Sequence, residues 1–320
     1  MISRCEQVPV VRLGLVFTAS RNTYLPPNVA AKFRGAMKQR LELLARSGDD
    51  PHRRAALRHA RKTTESMQRT SASGLDYVPF ALDVPWTTAP IGPETPFACE
   101  LLLLEDAAQL WPAWVEALQE FRLGDLPVRL EHACVLEPGL SIDLEDAWED
   151  PWGVQRPLRD HLPECDSECS AVRIHLLTPT CWNRPENLDP SAQLTVRHFI
   201  ISIFRRLSLL ADRSPSESEC RQRDRDLPCA VRIAADRSLV VVRTSRPSPS
   251  RKRASGAAAG TPAEAERMEY GGMMGHFDLE GVRGQTIPPV LMRALRIVEV
   301  THLGAHVAFG CGRIALELLR

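Results

Sequence analysis

The order of apolar segments in the first 140 residues is the feature that most limits how this chain can fold. Apolar and β-branched residues predict strands over 10–18, 77–84, 97–104 and 128–136. An apolar stripe with steps of three and four residues predicts a helix between the first two strands, and a second helix is predicted over 107–121. The stripe consists of Val29, Phe33, Met37, Leu41 and Leu44. The order strand, helix, strand, strand, helix, strand is typical of a ferredoxin-like domain.

The second half of the chain repeats this order. Strands are predicted over 172–177, 230–233 with 239–243, 275–279 and 313–318, and helices over 193–211 and 290–298. A length of 320 residues also suits two domains of about 150 residues each. The sequence therefore predicts an α+β protein with tandem ferredoxin-like (RRM-like) domains, 1–150 and 151–320. The acidic stretch 143–151 is the predicted linker; two metal ions held by its carboxylates for a nuclease are the less favoured interpretation.

A basic segment, residues 47–74, interrupts the first domain. Residues 51–69 predict a helix whose large apolar residues are only Leu57 and Met67. A helix that is polar nearly all round stands in solvent or lies on a charged partner. We favour contact with a nucleic acid, through Arg53, Arg54, Arg58, Arg61, Lys62 and Arg69. The alternative is an ordinary solvated surface helix.

The net charge of zero conceals an uneven distribution. Residues 1–74 carry a net charge of +9, residues 75–170 carry −16 and residues 171–320 carry +7. Two basic regions suggest a polyanion as a partner, although uneven surface charge alone explains the same counts. Residues 245–266 are rich in Pro, Ser, Ala and Gly, a composition that predicts a mobile loop.

Several classes of protein find little support in the sequence. The chain has no Walker A loop, no G-x-S-x-G and no H-E-x-x-H motif. Its nine cysteines form no C-x-x-C pair, which indicates reduced thiols; a zinc site from His161, Cys165, Cys169 and Cys181 is the less favoured alternative. The apolar run 10–17 predicts a strand rather than a signal peptide, and no stretch is long enough for a membrane span. We expect a cytoplasmic protein with no metal or cofactor.

The C-terminal sequence carries the most specific motifs. It reads GGMMGHFDLEG at 271–281 and THLGAHVAFGCGRIALEL at 301–318, with Gly304, Gly310 and Gly312 in a loop between a helix and the last strand. Glycines in such a loop expose N–H groups that can hold phosphate. The combination resembles the glycine-rich signature of the RAMP family of CRISPR RNA-processing endoribonucleases. Residues 32–37, 177–179 and 205–208 also fit that family, and the basic insertion resembles the helical finger of its type IV members.

The resemblance implies a function. Such enzymes bind the stem-loop of CRISPR repeat RNA and cut precursor CRISPR RNA without metal, by attack of a 2′-hydroxyl on the adjacent phosphate. The expected product is a mature guide RNA that stays bound, and other CRISPR effector-complex subunits are expected partners. The alternative is a RAMP subunit that binds CRISPR RNA within an effector complex without cutting it.

The catalytic residues do not follow directly from the resemblance. Many members carry a histidine near the first strand or helix, whereas residues 6–51 contain none, and the glycine-rich loop lacks the family's frequent lysine. We therefore predict a site dominated by arginine, because one guanidinium can bind two oxygens of the same phosphate. The candidates are Arg21, Tyr24, Arg34, Lys38 and Arg243 for catalysis, with Arg246, Gly304, His306, Gly310, Gly312 and Arg313 joining the finger residues in RNA binding. Proton transfer by His302 or His306 is the alternative.

Overall fold

A computed structural model describes the chain except for 26–28, 70–78, 86–88, 151–152, 165–168, 181–193, 212–215, 248–266, 305–310 and 320. Side chains are further left out at 62–69, 235–237, 243–247 and 267–271. The strands of the first half are β1 (Pro9–Ala19), β2 (Thr23–Tyr24), β3 (Phe80–Asp83), β4 (Pro90–Ile91), β5 (Phe97–Leu104), β6 (Glu120–Leu123), β7 (Leu126–Glu137), β8 (Leu140–Asp143) and β9 (Arg156–Pro157). Its helices are α1 (Ile2–Cys5), α2 (Val29–Ser47), α3 (Pro51–Arg69), α4 (Trp111–Leu118) and α5 (Leu144–Glu149), with 3₁₀ turns at Glu105–Leu110 and Leu158–His161.

The second half contains four further strands and four further α-helices among the described residues. The strands are β10 (Ala171–Thr180), β11 (Val231–Pro247), β12 (Arg267–Gly281) and β13 (Ile314–Leu319). The helices are α6 (Val196–Leu210), α7 (Glu217–Arg221), α8 (Leu227–Ala230) and α9 (Pro289–Thr301), with a π-helical turn at Gln222–Asp226 between α7 and α8 and a 3₁₀ turn at Val282–Gly284.

Both halves share one sheet topology. The strand order is β3-β5-β1-β7-β6 in the first sheet and β11-β12-β10-β13 in the second, with antiparallel pairing throughout. In each half the first strand therefore lies between the third and the fourth strands of the βαββαβ repeat, which is the ferredoxin-like arrangement. The predicted tandem ferredoxin-like fold is confirmed. Strand β9, which follows residue 150, pairs with the start of β1.

Helices cover one face of each sheet because their apolar stripes match the buried face of the strands. Phe33, Met37 and Leu41 of α2 are fully buried, as the predicted stripe requires. The Phe33 ring meets the rings of Phe17 and Phe121, with centroids 5.4 and 4.9 Å away. In the second half, Phe199 of α6 packs edge-on against Phe277 of β12 at 5.2 Å. These contacts fix where α2 and α6 sit on their sheets.

Three local predictions are wrong. The helix predicted over 107–121 ends at Leu118, and Phe121 lies in strand β6 with its ring in the core. Within the acidic stretch, Leu144–Glu149 form helix α5 rather than an open linker, because Ala147 is buried and the Trp148 ring packs on Trp111 at 5.0 Å. The short strands predicted over 230–243 form one long strand, β11, with an irregularity between Ile233 and residue 237.

The finger helix α3 begins and ends where the sequence predicts, at Pro51 and Arg69, but its first half is not free of the core. Ala56, Leu57 and Ala60 are buried against the first domain, with exposed fractions of at most 8%. Small alanine side chains allow α3 to approach α2 closely, so a search for large apolar residues overlooks this face. The helix is therefore attached along its N-terminal half.

The N-terminus links the two domains. The Cys5 thiol donates a hydrogen bond to the Leu207 carbonyl oxygen at 3.2 Å, and the terminal amine pairs with Glu219 at 3.0 Å. Glu6 also forms an ion pair with Arg293 of α9. Burial raises the pKa of Cys5 to about 12, so this thiol stays protonated at neutral pH. These contacts hold α1 of the first half against α6 and α9 of the second.

Candidate functional site

The loop after β1 presents two of the predicted catalytic residues to solvent. Arg21 is exposed, and the Tyr24 side chain is 65% exposed. Backbone hydrogen bonds hold the loop at both ends, from Ser20 N–H to the Pro127 carbonyl at 3.2 Å and from Leu25 N–H to the Ala89 carbonyl at 2.8 Å. The structure therefore offers a cation and a phenol on a backbone that is anchored to the first sheet.

Helix α2 carries the next two predicted residues beside this loop. Lys38 is partly exposed, whereas Arg34, one turn earlier, is only 7% exposed. The ring contacts of Phe33 place this part of α2 over β1 and β6. The buried Arg34 guanidinium can influence a bound phosphate through its field rather than by open contact. Arg243 and Arg246 lie in β11, and their side chains are outside the described atoms.

The glycine-rich loop begins and ends on residues with positive φ. Gly304 has φ +85° and Gly312 has φ +80°. The Gly312 carbonyl accepts a hydrogen bond from Leu303 N–H at 2.7 Å, and its own N–H donates to the Pro179 carbonyl at 3.1 Å. The N–H of Gly312 is thus used within the protein rather than offered to a phosphate. His306 and Gly310 lie outside the described residues.

Arg313 follows the loop and spans the two domains. Its guanidinium forms an ion pair with Asp83 at the end of β3. Its backbone N–H donates a hydrogen bond to Thr178 Oγ1 at 2.9 Å. Burial raises the pKa of Asp83, and the Arg313 charge opposes that rise. The pair lines an interdomain cleft of about 500 Å³, next to Glu100, whose carboxylate binds Arg12 at 2.7 and 3.0 Å. The charge of Arg313 is therefore already engaged by a carboxylate.

Two buried histidines do not offer protons at neutral pH. His302 is 5% exposed and burial lowers its pKa to about 4; its backbone has φ +62°, which is unusual for a residue with a side chain. Burial likewise lowers the pKa of His161 to about 4. The interpretation of His302 as a proton carrier is not supported by this buried position. Of the alternative zinc ligands, Cys165 and Cys181 are outside the described part of the chain, and the Cys169 thiol donates to the Ala171 carbonyl at 2.8 Å.

The basic residues of the finger helix differ in how far their charge is engaged. Arg53 forms two hydrogen bonds with Glu116, at 2.8 and 2.5 Å. Arg54 pairs with Asp49 at 2.7 Å and Arg61 with Glu42 at 3.2 Å. Arg58 is exposed and has no ion pair with any residue that the structure describes. The side chains of Lys62 and Arg69 are outside the described atoms.

Comparison with known proteins assigns the second half of the chain. Residues 174–314 match the family model of "CRISPR-associated endoribonuclease Cas6". This region is similar to the Cas6 family. The match covers helices α6 to α9, strands β11 and β12, most of β10 and all of the glycine-rich loop, and it confirms the predicted resemblance to a CRISPR endoribonuclease. No curated protein matches the chain closely enough in sequence to count as a relative.

Solved Cas6 structures share the fold along nearly the whole chain. A Cas6 product complex is 16% identical, with 97% of this chain and 99% of that chain covered and a TM-score of 0.55. A Thermus thermophilus Cas6 is also 16% identical over 97% and 99%, with a TM-score of 0.53. A partial Cas6-RT-Cas1–Cas2 complex is 13% identical, covers 98% of this chain and 46% of that chain, and has a TM-score of 0.51. At these identities the likeness concerns the fold.

Some features of the site could not be found from the sequence. Asp83 and Arg313 are 230 positions apart, and no local motif connects them. An acidic partner of the finger also comes from another element, since Glu116 of helix α4 pairs with Arg53 across 63 positions of sequence. None of the helices that the structure describes is long and apolar enough to cross a membrane.

Proposed function

We propose that this protein binds the stem-loop of CRISPR repeat RNA and cuts precursor CRISPR RNA without a metal ion, leaving a mature guide RNA that stays bound. The observation that carries the proposal is the exposed pair Arg21 and Tyr24 on an anchored loop, in a chain whose residues 174–314 match the Cas6 family model. Among its structural neighbours is a Cas6 product complex, which fits retention of product. Other CRISPR effector-complex subunits are the proposed protein partners.

The proposed chemistry has three requirements. The 2′-oxygen, phosphorus and leaving 5′-oxygen must lie in line, the developing charge on the phosphorane must be stabilised, and one proton must leave the 2′-hydroxyl while another reaches the 5′-oxygen. Arginine meets the second requirement because its guanidinium binds two phosphate oxygens at once. It is a poor proton carrier, since its pKa lies above roughly 12.

The residues take separate roles in this proposal. Arg21 binds the scissile phosphate, and Lys38 and Arg243 assist from the side. Arg34, which is buried beneath the helix surface, adds positive potential without direct contact. Tyr24 is the proposed proton carrier, because its side chain is 65% exposed beside Arg21 in the loop.

A single-turnover cleavage assay tests the proposal. Purified protein is incubated with repeat RNA in EDTA, and discrete products are expected. Arg21→Ala should slow cleavage by a factor on the order of 10²–10³ with little change in RNA affinity, because many other phosphate contacts remain. Arg46→Ala is the matched control, since Arg46 is an exposed cation at the far end of α2. The rate should also lack a bell-shaped pH profile centred near roughly 6.5.

Two results would contradict this mechanism. A wild-type protein that cuts only when divalent metal is added would remove metal independence. An Arg21→Ala variant that cuts as fast as the Arg46→Ala control would remove the arginine site. Rapid release of labelled product from the protein would contradict product retention alone.

A second function follows from the absence of histidine over residues 6–51. Without an N-terminal proton carrier of that type, the chain would serve as a RAMP subunit that binds CRISPR RNA within an effector complex and leaves it intact. In the same assay this function predicts tight binding of the repeat RNA with no products, with EDTA or with added metal.

A further inference from the structure

A large cavity opens beside the loop that carries Arg21. Its volume is about 850 Å³, within the range of roughly 300–1,000 Å³ that is usual for small-molecule sites. Thr18, Ala19 and Ser20 form one wall, and these are the three residues that precede Arg21 in the chain. Helix α2 forms the opposite wall, and strands β6 and β7 complete the cavity. The cavity therefore adjoins the segment of backbone that carries Arg21.

The cavity has apolar walls and a mixed set of hydrogen-bonding groups. Its apolar lining includes Ala36, Leu43, Pro93, Phe121 and Pro127. Leu43 is 49% exposed, an unusual position for a large apolar side chain that no partner covers among the described residues. Apolar walls of this kind suit the face of a nucleobase, because contact removes apolar area of both partners from water.

Arg40 lines the cavity and carries one donor without a partner in the described part of the chain. Its Nε is buried and has no hydrogen-bond partner among the described residues. Arg129, by contrast, is bound to Glu131 at 2.9 Å, and Glu131 also accepts a hydrogen bond from Thr18 Oγ1 at 2.7 Å. The Glu120 side chain stands exposed at the rim as an acceptor. A buried donor without a partner costs free energy in the empty protein, and a ligand with an acceptor removes that cost.

We propose that this cavity binds the base of one unpaired nucleotide next to the scissile phosphate. The inference rests on the proposed function, because it takes Arg21 as the phosphate contact. A base offers flat faces for Leu43 and the two prolines, and edges with acceptors for Arg40 and donors for Glu120. A base held here turns the RNA backbone out of the stem at the cut, which favours the in-line geometry that cleavage requires. The cavity would therefore make the enzyme specific for a stem with an unpaired nucleotide at its cleavage site.

The experiment measures binding, so that it does not depend on cleavage. The probe is repeat stem-loop RNA with a 2′-deoxy sugar at the cleavage position, in a series that replaces each unpaired nucleotide beside the cut with an abasic one. For the wild-type protein, one abasic position should weaken binding by about 5- to 150-fold, the loss that corresponds to one stacked base. In Leu43→Ala and Arg40→Gln variants, the same abasic position should have little further effect.

Matched controls separate the cavity from general effects. Leu140→Ala removes another exposed leucine, which is 59% exposed and lies outside the cavity, and it should keep the full abasic effect. If Arg40→Gln fails to fold, Leu43→Ala still tests the proposal, because half of the Leu43 side chain is in solvent.

The outcomes distinguish this inference from the proposed function. Equal abasic losses in the wild type and in both cavity variants, or no abasic loss at any position, would overturn the cavity proposal alone. A wild-type protein that does not bind the intact repeat RNA would overturn the proposed function and the inference with it. Loss of the abasic effect in the cavity variants alone supports the proposal.

Discussion

Replacing Gly312 by alanine should destabilise the second domain strongly. With φ +80°, any L-residue at this position costs about 1–2 kcal/mol. A Cβ atom would also lie 1.8 Å from the Leu303 carbonyl oxygen and 2.8 Å from its carbon, so the backbone must move. That movement would break the hydrogen bond from Leu303 N–H to the Gly312 carbonyl, which contributes roughly 0.5–1.5 kcal/mol. The total loss is about 3 kcal/mol or more.

Gly284→Ala is the matched control for this prediction. Gly284 also has positive φ, at +73°, but a Cβ there would have nothing within 4 Å. The Gly284→Ala variant should therefore lose only the free energy that positive φ costs a non-glycine residue, about 1–2 kcal/mol. At roughly 2 °C per kcal/mol for a chain of this size, thermal unfolding should fall by about 2–4 °C for Gly284→Ala and by about 6 °C or more for Gly312→Ala. Equal shifts in the two variants would refute the steric argument and leave Gly312 free for an RNA contact.

Three further predictions concern charged groups. Arg58→Ala should reduce the slope of log binding constant against log salt concentration by about 0.7–0.9, as measured by RNA titrations from 50 to 200 mM salt. Arg53→Ala should lower the unfolding temperature and leave that slope nearly unchanged. Equal slopes for the two variants would contradict the assignment of Arg58 to RNA binding and Arg53 to stability. Asp83→Asn should lower the unfolding free energy by roughly 1–2 kcal/mol in urea titrations, because it removes the carboxylate that pairs with Arg313; an unchanged midpoint would show that the ion pair contributes nothing. Burial lowers the pKa of His302 from 6.5 to about 4, so the unfolded chain binds a proton at this residue more readily than the folded one. The unfolding free energy should therefore be greatest above about pH 6.5 and should fall by up to roughly 3 kcal/mol as the pH decreases towards 4. In urea titrations between pH 7.5 and 4.5, a His302→Gln variant should show a smaller decrease.

The sequence predicts the repeating architecture because that information is local. Periods of two and of three to four residues define most strands and helices, and the order of the elements limits the topology to a few choices. Phe121 marks where this reasoning fails: it continues the helical spacing of α4, yet the chain turns into β6 one residue after the helix ends. The choice between helix and strand there depends on pairing with β7, which no local window contains.

The candidate site is less predictable than the fold, since charge is assigned to partners by tertiary contacts. The finger helix contains almost no acid, so its arginines look uncompensated in sequence. In the folded chain, Arg53 forms an ion pair with Glu116 of α4, and Arg61 forms one with Glu42 of α2. Arg21, in contrast, is exposed in the loop after β1. The sequence shows which residues are cationic, but their availability for binding phosphate depends on the contacts that they make in the folded protein.

This division also explains how a protein without net charge can hold a polyanion. Phosphate contacts release counterions only where a cation is not already neutralised by a neighbouring carboxylate. Arg53 and Arg313 are therefore engaged mainly in ion pairs within the protein. The Arg53 pair holds the finger helix to α4, and the Arg313 pair joins the end of the glycine-rich loop to the first domain. We expect exposed cations such as Arg21 and Arg58 to be among those that bind phosphate. Affinity for RNA should therefore depend on where these exposed cations lie rather than on the net charge.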